Sequence, residues 1–184
     1  MITLRADRLH WMGDNGRDEP YDLCAHSPVS LQIGNHILAR PEDGDWTVSA
    51  SAIFLLRALR RDHIKESRVG DQIFPCCGHQ FYDVGKPEVA ILGCASGIDF
   101  EIRHLMNTYQ LTAEDGRIIA VSENDWREAV LNFSDAVMDF YDRSMRKEPA
   151  DDDERKDFSA MMIEWQRLRD YHNREKHGED GNPH

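Results

Sequence analysis

The sequence holds no apolar stretch near the ~18 residues that a membrane helix requires. Its opening segment, Met1 to Met12, interrupts its apolar residues with Arg5, Asp7, Arg8 and His10, so it lacks a signal-peptide core. A soluble, cytoplasmic chain is the expectation. Cations are also scarce: 22 Lys and Arg stand against 34 Asp and Glu, a net charge of -12. Phosphate-backbone binding is driven by cationic contacts, so nucleic acid is disfavoured as a partner and no membrane association is expected. With only 4 cysteines in 184 residues, a disulfide-stapled miniprotein is excluded. There is no internal repeat and no composition break that would separate domains.

What is present suits a folded domain with polar loops: 40% hydrophobic and 30% charged residues, with a mean hydropathy of -0.64. The length fits one domain. Its first part has strand vocabulary. Ile2-Thr3-Leu4 is followed by the turn-rich loop 13–20, which has calcium-like oxygen ligands but not the EF-hand order. Val29, Leu31 and Ile33 alternate up to Gly34-Asn35, and His36 to Ala39 resumes the apolar run, predicting a β-hairpin with a type II' turn between Pro28 and Pro41. After Trp46-Thr47-Val48 the period lengthens. Ala52, Leu55, Leu56 and Leu59 then mark a helix that Ser49 or Ser51 would cap, with Arg57, Arg60, Arg61 and His63 solvated toward its negative end.

From Gln72 to Val121 strands return. The run Val89 to Leu92 is expected to be buried on both faces. Ile98, Phe100 and Ile102 alternate with Asp99, Glu101 and Arg103, which should form a wet face. Tyr109–Thr112 and Arg117–Val121 flank a loop in which Gly116 supplies the positive φ. Ser122 and Asp125 then resemble a capping box opening a helix with Trp126, Val130, Phe133, Val137 and Tyr141 on one stripe. A solvated acidic connection, Glu148 to Glu154, leads to a last helix at about 155–172. Its stripe of Phe158, Met161, Met162, Trp165, Leu168 and Tyr171 serves as internal core or, alternatively, as a homo-oligomer surface.

These readings predict a single α+β domain over 1–172, a mainly antiparallel sheet packed by three principal helices, followed by a flexible tail at 173–184.

Chemistry concentrates at the sulfur-bearing residues. Cys24 with His26, and Cys76-Cys77 with His79, are candidate zinc ligands, not all simultaneous because adjacent strand residues face opposite ways. Their C-x-H and C-C-x-H spacings match no familiar zinc scaffold. Zinc is the only cofactor the residues suggest. Alternatively, Cys77 or Cys94 with His79 or His104 and Asp99 supplies the residue types of a cysteine nucleophile, but without a nucleophile signature. The plainest reading makes the thiols small apolar fillers, with a disulfide disfavoured by the inferred compartment. Gly93-Cys94-Ala95-Ser96-Gly97 is neither a P-loop nor a nucleophile elbow and suits a strand connection.

The expected function is therefore a non-enzymatic protein-interaction domain that binds a protein partner, preferentially a basic one. Toxin-neutralising immunity proteins work by such physics, although acidic composition does not single them out. A zinc-binding domain or a cysteine-dependent enzyme is the alternative.

Overall fold

The computed structural model describes residues 1–13, 16–76 and 80–176. The chain order is β1 Ile2–Ala6, β2 His26–Ser27, β3 Val29–Ile33, β4 His36–Ala39, β5 Trp46–Thr47, α1 Val48–Ala58, β6 Phe74–Pro75 and β7 Gln80–Tyr82. It continues with β8 Ala90–Leu92, β9 Gly97–Ile98, β10 Phe100–Leu105, β11 Thr108–Ala113, β12 Ile118–Ser122, α2 Glu123–Arg143 and α3 Asp152–Lys176. Every ladder among the named strands is antiparallel. The strands form two three-stranded sheets, β1-β3-β4 and β10-β11-β12, and three two-stranded ribbons, rather than one continuous sheet. With three helices packed on these sheets, the chain is a single-domain α+β fold.

Local chemistry explains the hairpins. At the β3–β4 turn Gly34 has φ +56°, whereas Asn35 has no positive φ; a type II' turn needs that combination. Gly116, at φ +82°, closes the β11–β12 loop in the same permissive region. The β10–β11 turn has no such residue: Met106 takes φ +45° and is 98% exposed, so its side chain gains no packing in return for the left-handed backbone.

α1 occupies the middle of the core, with all of its residues buried. It contacts α2 and α3 on one side and β5 and β6 on another. Thr47, rather than Ser49 or Ser51, precedes its first turn. The two serines are buried within the helix, where Ser51 Oγ donates to the Thr47 carbonyl at 3.1 Å. α2 opens as expected on Ser122, whose hydroxyl accepts from the Asp125 N–H at 3.2 Å. It packs on β1, β11 and β12.

The Trp and Met stripe of α3 is turned into the core. Met161, Trp165 and Leu168 are buried, and the Trp165 indole donates to Ser134 Oγ at 2.7 Å. The helix starts earlier than its apolar pattern suggested and runs on to Lys176; the rest of the expected tail, 177–184, lies outside the described residues. No helix among the described residues is long and apolar enough to cross a membrane.

Three expectations change. Val89 to Leu92 is not buried on both faces: in the two-stranded β7–β8 ribbon Ile91 points inward and Leu92 is exposed, because no second layer covers the outer side. Arg57 is not solvated; it is buried, and its guanidinium holds both oxygens of the buried Glu164, Nε to Oε1 at 2.7 Å and an NH2 to Oε2 at 2.8 Å. It also donates to the carbonyls of Val69 and Val89. Asp99 does not lie on a wet strand face: its carboxylate accepts from the buried His63 imidazole at 2.9 Å, from Arg68 and from the Ile73 N–H.

Candidate functional site

A cleft of about 360 Å³ lies between the loop carrying Tyr21 to Cys24, strand β7 and the first turns of α3. Its carboxylates are Asp22, Asp151, Asp153, Glu154 and Asp157, and its aromatic walls are Tyr21, Phe81, Tyr82 and Phe158. No Lys or Arg among the described residues lines it. The cations next in sequence point to other acids: Arg155 pairs with Asp152 and Lys156 with Asp83.

Several of these acids are oriented by backbone donors. Asp22 accepts from the N–H groups of Met12 and Cys24, Asp151 caps the helix through the Glu154 N–H, and Asp157 accepts from the Asp83 N–H at 2.6 Å. Glu154 accepts from the Ala150 N–H. These bonds fix the carboxylates without neutralising them. Asp153 forms no hydrogen bond or ion pair among the described residues and is free to meet a ligand. Tyr21, 66% exposed, presents most of its ring to solvent.

At the rim of this cleft, Cys24 is a poor nucleophile. Burial, reinforced by the negative charges of Asp22 and Glu154, pushes its thiol up to about 12, so the reactive thiolate is almost absent at neutral pH. His26 lies in the core behind it. One ring nitrogen, Nδ1, meets the Cys24 carbonyl at 2.9 Å and the other, Nε2, meets Thr47 Oγ1 at 3.2 Å. The Thr47 hydroxyl in turn donates to the Cys76 carbonyl at 2.9 Å. Burial holds the His26 imidazole below its ordinary pKa, against the Cys24 carbonyl and the charges of Asp22 and Asp45.

The structure thus links the Cys24 carbonyl, the His26 ring, the Thr47 hydroxyl and the Cys76 carbonyl in one chain of hydrogen bonds. The Cys76 sulfur is joined to Cys94 in a disulfide, contrary to the expectation of free thiols. Cys77 and His79 lie outside the described residues. Among the described residues, no group of three or more His, Cys, Asp or Glu is placed to hold a metal ion.

The residue types considered for a cysteine nucleophile are engaged separately. Cys94 is in the disulfide, His104 Nε2 donates to the Ala58 carbonyl at 2.9 Å, and Asp99 holds His63. The buried His63 ring accepts from the Val69 N–H at Nδ1 and donates from Nε2 to Asp99, so both nitrogens are occupied. The basic cluster at the end of α1 and just beyond it is likewise engaged: Arg57 with Glu164, Arg61 with Glu88 in a two-pronged pair, and Arg60 stacked 4.6 Å over Tyr171. Arg61 thereby holds the Glu88 carboxyl below the usual carboxylate range.

Of the cleft, the sequence displayed Cys24, Phe158 and the acidic run 151–154, the last of which its proline and like charges assigned to a solvated connection. Tyr21, Tyr82 and Asp22 carried no local signal. They become one wall only because β7 and the 21–24 segment meet at the start of α3. No protein-family model matches this chain, and neither the curated proteins nor the solved structures hold a significant match to it.

Proposed function

We propose that this protein is a non-enzymatic protein-interaction domain that docks a basic segment of a partner in its acidic, aromatic-walled cleft. The observation that carries the reading is the lining itself: five carboxylates and four aromatic rings around about 360 Å³, with no Lys or Arg among the described residues that line it. Uncompensated carboxylates attract a lysine or arginine side chain, and ring faces add cation–π attraction to the same head group. The volume admits one or two such side chains rather than a folded element. The high pKa of Cys24 and the engaged rings of His26 and His63 support a binding role over nucleophilic catalysis.

The test uses a fluorescently labelled hexa-arginine peptide and measures anisotropy across a salt series. Asp153→Lys and Tyr21→Ala alter the cleft at side chains that form no hydrogen bond among the described residues; Asp153→Lys also removes one of three acids in the first turn of α3, so circular dichroism checks that the helix is kept. Asp153→Lys converts an attraction into a repulsion and should weaken binding about tenfold at low salt. Tyr21→Ala should weaken it about threefold. A hexa-glutamate peptide should not bind. Equal affinity of the parent protein and Asp153→Lys would overturn the proposal.

A further inference from the structure

Strand β7, which supplies Gln80, Phe81 and Tyr82 to the cleft, belongs to a ribbon of only two strands. An isolated pair of this kind has marginal stability and needs external anchors. Its closed end is anchored on α3: Asp157 accepts the Asp83 N–H, Glu164 accepts the Val89 N–H at 2.7 Å, and Arg167 donates to the Pro87 carbonyl at 2.8 Å. The other, open end runs into the β6–β9 pair, where Pro75 faces Gly97. There Cys76, ahead of β7, is bonded to Cys94, just after β8, across a sequence separation of 18 residues.

The two halves of that disulfide are held unequally. Cys76 is seated by its N–H donating to the Ser96 carbonyl at 2.9 Å and by its own carbonyl accepting from Thr47. Cys94 sits among the exposed residues Gly93, Ala95 and Ser96, and both cysteines are half-buried, within reach of a small thiol.

We propose that the Cys76–Cys94 disulfide is a reversible clip that regulates the cleft by fixing the open end of the β7–β8 ribbon. The inference rests on the cleft reading only for its ligand consequence. A dithiol reductant would supply the chemistry. One of its thiolates attacks a cysteine sulfur to form a mixed disulfide and expel the other cysteine as a thiolate. Its second thiolate then closes the reductant's own disulfide. The protein gains two electrons and two protons as two thiols, and the reductant leaves oxidised. Once released, Cys94 is no longer tied to Cys76, and the end of β8 with Leu92, the partner opposite Gln80, loosens next to the retained β6–β9 pair. The cleft then loses one ordered wall, and a cationic ligand must supply the ordering itself.

The experiment uses the full chain carrying Cys77→Ser, which removes the adjacent cysteine from any exchange. Amide hydrogen exchange and hexa-arginine binding are measured in the oxidised form and after reduction by dithiothreitol, with mass spectrometry confirming the gain of two hydrogens. Amides of Gln80–Tyr82 and Ala90–Cys94 should exchange at least tenfold faster on reduction, while β10 to β12 remain unchanged. Peptide affinity should fall at least fivefold. A Cys76→Ser/Cys94→Ser variant on the same background should match the reduced form without reductant.

Unchanged exchange after complete reduction, or a disulfide that yields only on global unfolding, would overturn the clip. Faster exchange with unchanged affinity would overturn its control of the cleft. If the oxidised protein does not bind the peptide, the cleft reading fails, while the exchange comparison still decides whether the ribbon is clipped.

Discussion

Replacing Glu164 with alanine tests the packing that frames the cleft. The Glu164 side chain has 0% exposure and accepts three hydrogen bonds, two from Arg57 and one from the Val89 N–H. Without it, Arg57, itself 5% exposed, remains charged in the interior, and a buried donor on β8's approach is orphaned. Breaking a buried pair from one side typically costs about 3–5 kcal/mol. Arg57 would keep the carbonyls of Val69 and Val89, and Glu88 lies 3.8 Å away to supply part of the missing charge. The lower end, about 3 kcal/mol, is therefore expected.

For a chain of this length that loss corresponds to a melting point lower by roughly 6–12 °C. Urea unfolding followed by circular dichroism measures it directly. A Glu164→Gln variant keeps the shape but turns an amide toward donors, so it should lose a similar amount. An Arg57→Met/Glu164→Leu pair removes both charges and should recover most of the loss, because the cost belongs to the orphaned charge rather than to the missing attraction. A Glu164→Ala loss below ~1 kcal/mol, or a double variant less stable than the sum of the two singles, would refute this account.

Two further outcomes follow from local geometry. Met106→Gly should stabilise the protein by about 1 kcal/mol, since glycine accepts the left-handed turn and the exposed methionine packs on nothing; thermal unfolding would register the gain. His26 should make stability pH-dependent. Its pKa is depressed by burial, so the unfolded chain binds the proton more readily than the folded one. The associated stability is complete above the ordinary histidine value of about 6.5 and declines as pH falls below it. Comparison of urea midpoints at pH 5.5 and 7.5 should show a smaller difference in His26→Asn than in the parent, and equal differences would refute the assignment.

The sequence by itself determined those elements whose signals are local. The β3–β4 hairpin followed from strict alternation broken by Gly34, the β11–β12 loop from Gly116, and α2 from the Ser122 cap ahead of an apolar stripe with helical period. The α+β class followed from these together. Periodicity located α1 but not its depth: the helix is buried on every side and shows no polar face, so Arg57 looked like a solvated helix end. Its partner Glu164 lies on another helix, and no local rule connects the two.

Tertiary structure alone decided the cleft and the disulfide. Asp22, Tyr82 and Asp153 are distant in sequence and meet only where a loop, a ribbon and a helix terminus converge. Cys76 and Cys94 were separately visible, but their union depends on β6–β9 and β7–β8 pairing side by side. Spacing along a chain records which residues share a face of one element. Which faces then meet is fixed by the burial of the whole core, and the chemistry of this protein lies at those meetings.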